Sequence, residues 1–161
     1  MREMRRSKQS LSYEECIELL EKSTYGTLAL GTIEDYPYAI PISYVYHDGK
    51  LIFHSATEGK KLDAIKLGCK ASFCVAYDEV VPLEYTTRYK SVICFGSLSL
   101  ITEGEKLREY ACLLGKRYNP EDTAEGLNNY VEKYKNRFLI IAMDIEHMTG
   151  KQGSAYLKSK E

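Results

Sequence analysis

The chain has no tryptophan, only four prolines and three histidines in 161 residues, and its five cysteines never fall in a CxxC spacing. Dispersed His47, His54 and His147 offer no ligand set for zinc. Scattered and odd in number, Cys16, Cys69, Cys74, Cys94 and Cys112 read as reduced, mostly buried thiols, the pattern of a cytoplasmic protein. No apolar run approaches the roughly 20 residues of a membrane-spanning helix. The basic N-terminus has no apolar stretch behind it, so no signal peptide is expected. With a formal net charge of -1, no global field recruits nucleic acid or an anionic membrane. Arg2, Arg5, Arg6 and Lys8 cluster without interleaved aromatics, which reads as a solvated, frayed end. Neither a GxGxxG nor a Walker loop occurs, which counts against a Rossmann or P-loop nucleotide site.

What is present fits one domain over 1–161, with 1–10 and 152–161 as loose tails. Hydrophobic residues make up 44% and charged residues 28% of the chain, as in soluble globular proteins. Tyrosine is plentiful, 14 against 4 phenylalanines. Rings with a polar tip suit half-buried places: sheet edges, cofactor walls and subunit interfaces.

Local signals order the elements. Ser12 with Glu15 forms a capping box, and Tyr13, Cys16, Ile17 and Leu20 lie on one helical stripe. Strands are expected over 24–32, 38–46 and 51–54, the last two joined by the Asp48-Gly49 hairpin turn. Pro41 cannot donate to a ladder, so it marks an edge or a bulge with backbone groups free for a ligand. Ile40, Ile42, Tyr44 and Tyr46 share one face, Ala39, Ser43 and Val45 the other. A helix is expected over 60–67, stopped by Gly68, and a central strand over 71–77. A long strand over 89–101 bends at Gly96. Helices over 103–117 and 123–135 precede a last strand over 138–145, apolar enough to be buried on both faces. Six strands with mostly short connections predict an α+β fold, a six-stranded antiparallel split β-barrel with peripheral helices.

The most telling stretch is Phe53-His54-Ser55-Ala56-Thr57-Glu58-Gly59-Lys60-Lys61-Leu62. A strand ends in a histidine and two small residues, and the chain then turns through Gly59 into two lysines that open a helix. Cations at a helix start oppose the macrodipole by about 0.3–1 kcal/mol each, and a phosphate between them and the helix removes that conflict. A solvated helix face is the alternative. His54 would hydrogen-bond a flavin edge or substrate, or move a proton near neutral pH; a structural imidazole is the alternative. Asp144, Glu146 and His147 suit either acid–base work or a turn. Tyr85, Arg88, Tyr89 and Ser91 suit either a site wall or packing.

In order along the chain, Gly26-Thr27-Leu28-Ala29-Leu30, Tyr36-Pro37-Tyr38-Ala39-Ile40-Pro41-Ile42-Ser43-Tyr44, Phe53-His54-Ser55-Ala56 with Gly59-Lys60-Lys61, and Tyr89-Lys90-Ser91-Val92 with Gly96 resemble the pyridoxamine 5′-phosphate oxidase-like flavin-binding proteins. Within that family the chain is most similar to the nitroimidazole-resistance (Nim-type) flavoproteins, whose ending Met148-Thr149-Gly150-Lys151 resembles. The resemblance runs from about Tyr25 to Lys151. It implies a split-barrel homodimer with FMN at the subunit interface. Lys60 and Lys61 would take the phosphate, with Ser55 and the Gly59 backbone assisting and Ala56 among the cofactor-binding residues. Pro41, Ile42 and Ser43 would run beside the isoalloxazine with His54 near it, and Ser91 and Val92 would touch the cofactor from the long strand. The activity implied is electron passage from a reduced nicotinamide through FMN to a small molecule such as a nitroaromatic, with His54 as the catalytic residue. A flavin-storage protein, or the same barrel holding haem or a deazaflavin, are the alternatives. The segment Gly153-Ser154-Ala155-Tyr156-Leu157-Lys158 lacks the arginines with which the vitamin B6 oxidases grip substrate, so the resemblance does not extend to that reaction.

Overall fold

The structure, a computed structural model, describes residues 4–31, 36–68, 70–81 and 86–158. Tyr85 and Cys69, weighed above, lie outside the described residues.

The first helix, α1 (Tyr13–Lys22), starts where the capping box places it: Ser12 N donates to Glu15 Oε2 at 2.9 Å and Glu15 N to Ser12 Oγ at 3.2 Å. Next come β1 (Tyr25–Leu30), β2 (Tyr38–Ser43), β3 (Val45–His47) and β4 (Lys50–Ser55), then α2 (Lys60–Lys66) and β5 (Lys70–Val81). The long β6 (Thr86–Ile101), α3 (Gly104–Tyr118), α4 (Ala124–Tyr134), β7 (Leu139–Gln152) and α5 (Ser154–Lys158) complete the chain. The β3–β4 hairpin turns through Asp48 (φ 45°) and Gly49 (φ 74°), both left-handed, as a two-residue type I′ loop requires.

All pairings are antiparallel, in the order β2-β1-β5-β6-β7-β4-β3. Only Tyr44 separates β2 from β3 along the chain, yet they occupy opposite ends of that order. The sheet must therefore curl until its two end strands approach each other at Tyr44, with no ladder joining them among the described residues, which makes a split barrel. The expected strand over 38–46 is thus two strands, giving seven among the described residues instead of six, because it changes partners from β1 to β4 at Tyr44. At Gly96 the β6–β7 register shifts, and a Cβ there would sit 1.9 Å from Asp144 O. This is the expected bend, and it lets two backbones touch.

Alternation along the strands sorts side chains between two cores. Leu28, Leu30, Tyr44, Leu51, Phe53, Phe73, Val75, Val92, Ile141 and Met143 form the inner one, joined by Cys16 and Leu20 of α1 and Leu62 and Ile65 of α2. Its centre is an aromatic cluster, with Tyr44 and Phe73 centroids 4.7 Å apart and Phe53 and Phe73 5.3 Å apart. On the outer face, Ile52, Ile140 and Ala142 pack under Leu107, Tyr110, Ala111, Leu114 and Val131 of α3 and α4. Residues 139–143 are accordingly buried on both faces, as expected.

The expected loose tails are docked over their described parts. Ser10 bridges Lys151, Leu11 N donates to Gly150 O at 3.1 Å, and Gln9, Gln152 and Ala155 are buried. Strand β7 runs seven residues past the expected end because β6 pairs with it as far as Gln152. No described helix is long and apolar enough to cross a membrane.

Candidate functional site

Strand β4 carries His54 to its end with the imidazole on the outer face and Ser55 turned inward, buried. The chain then passes exposed Ala56 to Gly59, whose φ of 126° is left-handed and around whose would-be Cβ nothing lies within 4 Å. The glycine is therefore required by the turn and leaves open space beside it. No side chain caps the start of α2. Because α2 has seven residues, its dipole is small and the two ammonium groups dominate the local field. Lys60 is exposed with its Nζ 5.4 Å from the Tyr38 ring centroid, a cation–π contact that steadies a long side chain. Lys61 is half-buried. Desolvation first, and the Lys61 charge second, lower the His54 pKa from its usual 6.5. The imidazole is thus biased neutral, with one nitrogen to donate and one to accept.

Beside Lys60, through its contact with Tyr38, runs the outer edge of β2, the end strand of the sheet among the described residues. Having no N–H, Pro41 must form a non-hydrogen-bonded pair with Thr27 of β1. In phase with it, the backbone groups of Ala39 and Ser43 and the Pro41 carbonyl point away from β1. Edge donors and acceptors, two cations, an open glycine turn and a neutral histidine therefore share one region. The donor set suits a planar heterocycle bearing a phosphate. Ile42 forms the hydrogen-bonded rung with Gly26 and packs its side chain on the inner core, so neither its backbone nor its side chain faces this edge.

Three expected members stand apart. Ser55 Oγ donates to Ala56 O at 2.9 Å, so this hydroxyl is turned onto its own chain. Ser91 is half-buried on β6 and pairs with Ala76 of β5, while Ser43 at the other end of the order pairs with Tyr25 of β1. Two strands intervene, about 14 Å at 4.8 Å per step, between Ser91 and the β2 edge. Val92 requires a correction: its side chain is 0% exposed in the inner core and its backbone is laddered on both sides, so it packs and does not line a site. Asp144, Glu146 and His147 belong to β7, not to a turn. Asp144 pairs with Lys50, Glu146 with Lys70 at 2.5 Å, and the His147 ring lies 6.0 Å from that of Phe95. Tyr89 lies under Lys151, and Arg88 Nε is buried without a hydrogen-bond partner among the described residues.

Two features escaped the sequence reading. Tyr38 carries no signal marking it as the ring under Lys60. A cleft of about 770 Å³ opens between α1 and the β1–β5–β6 face, lined by Tyr25, Thr27, Cys74, Ala76, Lys90 and Tyr156 among others. It adjoins Ser91, not the lysine pair. Burial raises the Cys74 thiol pKa and pushes that of Cys94 up to about 12, so neither is a ready nucleophile. Among the described residues no group of three or more His, Cys, Asp and Glu is placed to hold a metal.

Comparison with known proteins agrees with this architecture. No curated protein matches the chain. Among solved structures, a candidate 5-nitroimidazole antibiotic resistance protein of Bacteroides thetaiotaomicron superposes with a TM-score of 0.76 at 17% identity, over 89% of this chain and 86% of that one. A conserved hypothetical protein of Mycobacterium tuberculosis gives 0.78 at 17% identity over 93% and 90%. An FAD and haem binding protein of Mycobacterium smegmatis gives 0.71 at 24% identity over 96% and 80%. These likenesses establish the fold. The family model described as pyridoxamine 5′-phosphate oxidase matches residues 12–152, nearly the whole barrel with its capping helix. The chain belongs to the pyridoxamine 5′-phosphate oxidase family.

Proposed function

We propose that the protein is a flavoprotein that binds FMN and uses it to reduce a small molecule with electrons from a reduced nicotinamide. The observation that carries this reading is the lysine pair beyond the open Gly59 turn, beside His54 and the unpaired edge of β2. Lys60 and Lys61 would hold the phosphate, with the Gly59 turn leaving room for its oxygens. Ala39, Pro41 and Ser43 would meet the polar rim of the ring through backbone groups, while His54 would donate to or accept from the ring or the substrate. The bound flavin would supply the redox chemistry; this chain's residues orient it, neutralise its charge and exclude water. Structural neighbours that bind FAD, or FAD and haem, support a flavin as the ligand class. A nitroaromatic acceptor is suggested by likeness to the nitroimidazole-resistance protein. Gly153 to Lys158 contains no arginine, which speaks against pyridoxamine phosphate as substrate.

Ser91 enters the reading through a second copy of the chain. Two strands separate it from the β2 edge, so it would touch a cofactor held by the Lys60–Lys61 pair of the other protomer. The outer face of β1, β5 and β6 bears the small side chains of Thr27, Ala29, Ser72 and Ala76 beside the apolar, half-buried Ile93 and Phe95, a surface that would suit a close two-fold approach.

The visible spectrum of protein purified without added cofactor, followed by FMN titration, tests the ligand. A colourless protein that takes up no flavin, or one with a haem spectrum, refutes it. With flavin bound, turnover of reduced nicotinamide with a nitro compound supports the enzyme. If no acceptor outpaces dissolved oxygen, the storage alternative stands.

A further inference from the structure

The β1–β2 ladder ends one rung early. Its last two pairs are Gly26–Ile42 and Tyr25–Ser43, and alternation from Pro41 makes Ser43 a non-hydrogen-bonded position. The next hydrogen-bonded rung would join Thr24 to Tyr44. Tyr44 instead turns into β3, with its ring in the inner core and its hydroxyl donating to Leu20 O at 2.6 Å. The place of the rung is taken by the hydroxyl of Tyr118, the last residue of α3. It accepts from Tyr44 N–H at 2.9 Å, lies 2.8 Å from Tyr44 O and reaches Thr24 O. With one proton it donates to one of these carbonyls at a time while accepting from the amide. Next to it, Arg117 holds Glu21 O and, at 3.0 Å, Ser23 O. The end of α3 thus supplies partners to carbonyls that the end of α1 leaves open.

We propose that Tyr118 is a positioning residue for the cofactor edge: its hydroxyl stands in for the missing rung between Thr24 and Tyr44 and so fixes the end of β2 that carries Ser43. The inference rests on the reading of the β2 edge as the flavin side of the site. Because Tyr118 is 44% exposed, water replaces the lost hydroxyl in a Tyr118→Phe variant. The fold survives, but the strand end gains freedom.

The test compares the parent, Y118F and the control Y130F, whose tyrosine is exposed on α4. FMN dissociation constants are read by fluorescence titration, and amide hydrogen exchange at Ile42 and Tyr44 is read without ligand. Y118F is expected to raise Kd about three- to tenfold, the effect of one hydrogen bond, and to exchange faster at both amides. Y130F is expected to match the parent in both. A Y118F protein with parental exchange, or with Kd within about twofold of the parent whatever its melting temperature, overturns the inference. A parent that binds no FMN overturns instead the reading beneath it, and the inference with it.

Discussion

Replacing Lys60 and Lys61 together by alanine tests the phosphate site most directly. Charge-assisted hydrogen bonds contribute about 1.5–3 kcal/mol each when sheltered. Lys60 is exposed, so solvent screening holds it near the bottom of that range or below, while half-buried Lys61 lies within it. The pair together should therefore be worth about 2–4 kcal/mol, and FMN affinity should fall about 30- to 1,000-fold. Alanine is at least as good a helix former as lysine, and removing two cations from the start of α2 does not cost stability. Melting temperature should accordingly hold. Riboflavin, which has the ring without the phosphate, supplies the control. It should bind the parent more weakly than FMN and bind K60A/K61A about as well as it binds the parent. Titrating both ligands against both proteins by flavin fluorescence closes the cycle. Equal loss of riboflavin and FMN would show that the lysines shape the pocket instead of meeting the phosphate. No loss of either would remove them from the site.

Four other outcomes follow from the geometry. Lys61→Ala should raise the His54 pKa toward 6.5, read by NMR titration, and an unmoved pKa would show that the Lys61 charge does not reach the ring. Since the folded pKa lies below the unfolded one, His54 costs stability as pH falls from 6.5 through the folded value; chemical denaturation of His54→Ala should show less of that acid-side loss. Gly96→Ala forces a Cβ to within 1.9 Å of Asp144 O, backbone that cannot step aside; a loss of about 3 kcal/mol or failure to fold is expected, and parental stability would refute the close approach. Phe73→Ala, which empties the centre of the aromatic cluster, should cost about 3–5 kcal/mol in denaturant unfolding.

The sequence was most legible where the signal is local. The Ser12–Glu15 box, the Asp48-Gly49 turn, Pro41 at an edge and the doubly buried run at 139–143 each follow from a few adjacent side chains. It was least legible where two distant segments must be in register. Nothing near Tyr118 indicates that its hydroxyl meets Tyr44, 74 positions away. The same holds for Tyr38 beneath Lys60, for Val92, whose alternation turns it inward, and for the tail pinned by the Ser10–Lys151 bridge. The site divides likewise. His54, Gly59, Lys60 and Lys61 are near neighbours in the chain and so were found together, whereas the reach of Ser91 depends on strand order, which periodicity does not encode.

That strand order sets what oligomeric state must do for the proposed site. Helices α3 and α4 cover the outer face over β4 and the start of β7, where Ile52, Ile140 and Ala142 need shelter. The outer face over β1, β5 and β6 carries the small side chains of Thr27, Ala29, Ser72, Ala76 and Ser91 together with the larger, half-buried Ile93 and Phe95. Small side chains around two larger apolar ones suit the close approach of a flat ring or another sheet. In one protomer two strands separate Ser91 from the β2 edge beside which Lys60 lies. A monomer in solution that binds FMN with undiminished affinity would confine the site to the β2 edge, His54 and the lysines, and Ser91 would drop out. A dimer whose FMN affinity falls on dilution to monomers would require the second copy, and Ser91→Trp should then weaken binding and association together. Mass in solution, measured with and without FMN, decides between the two.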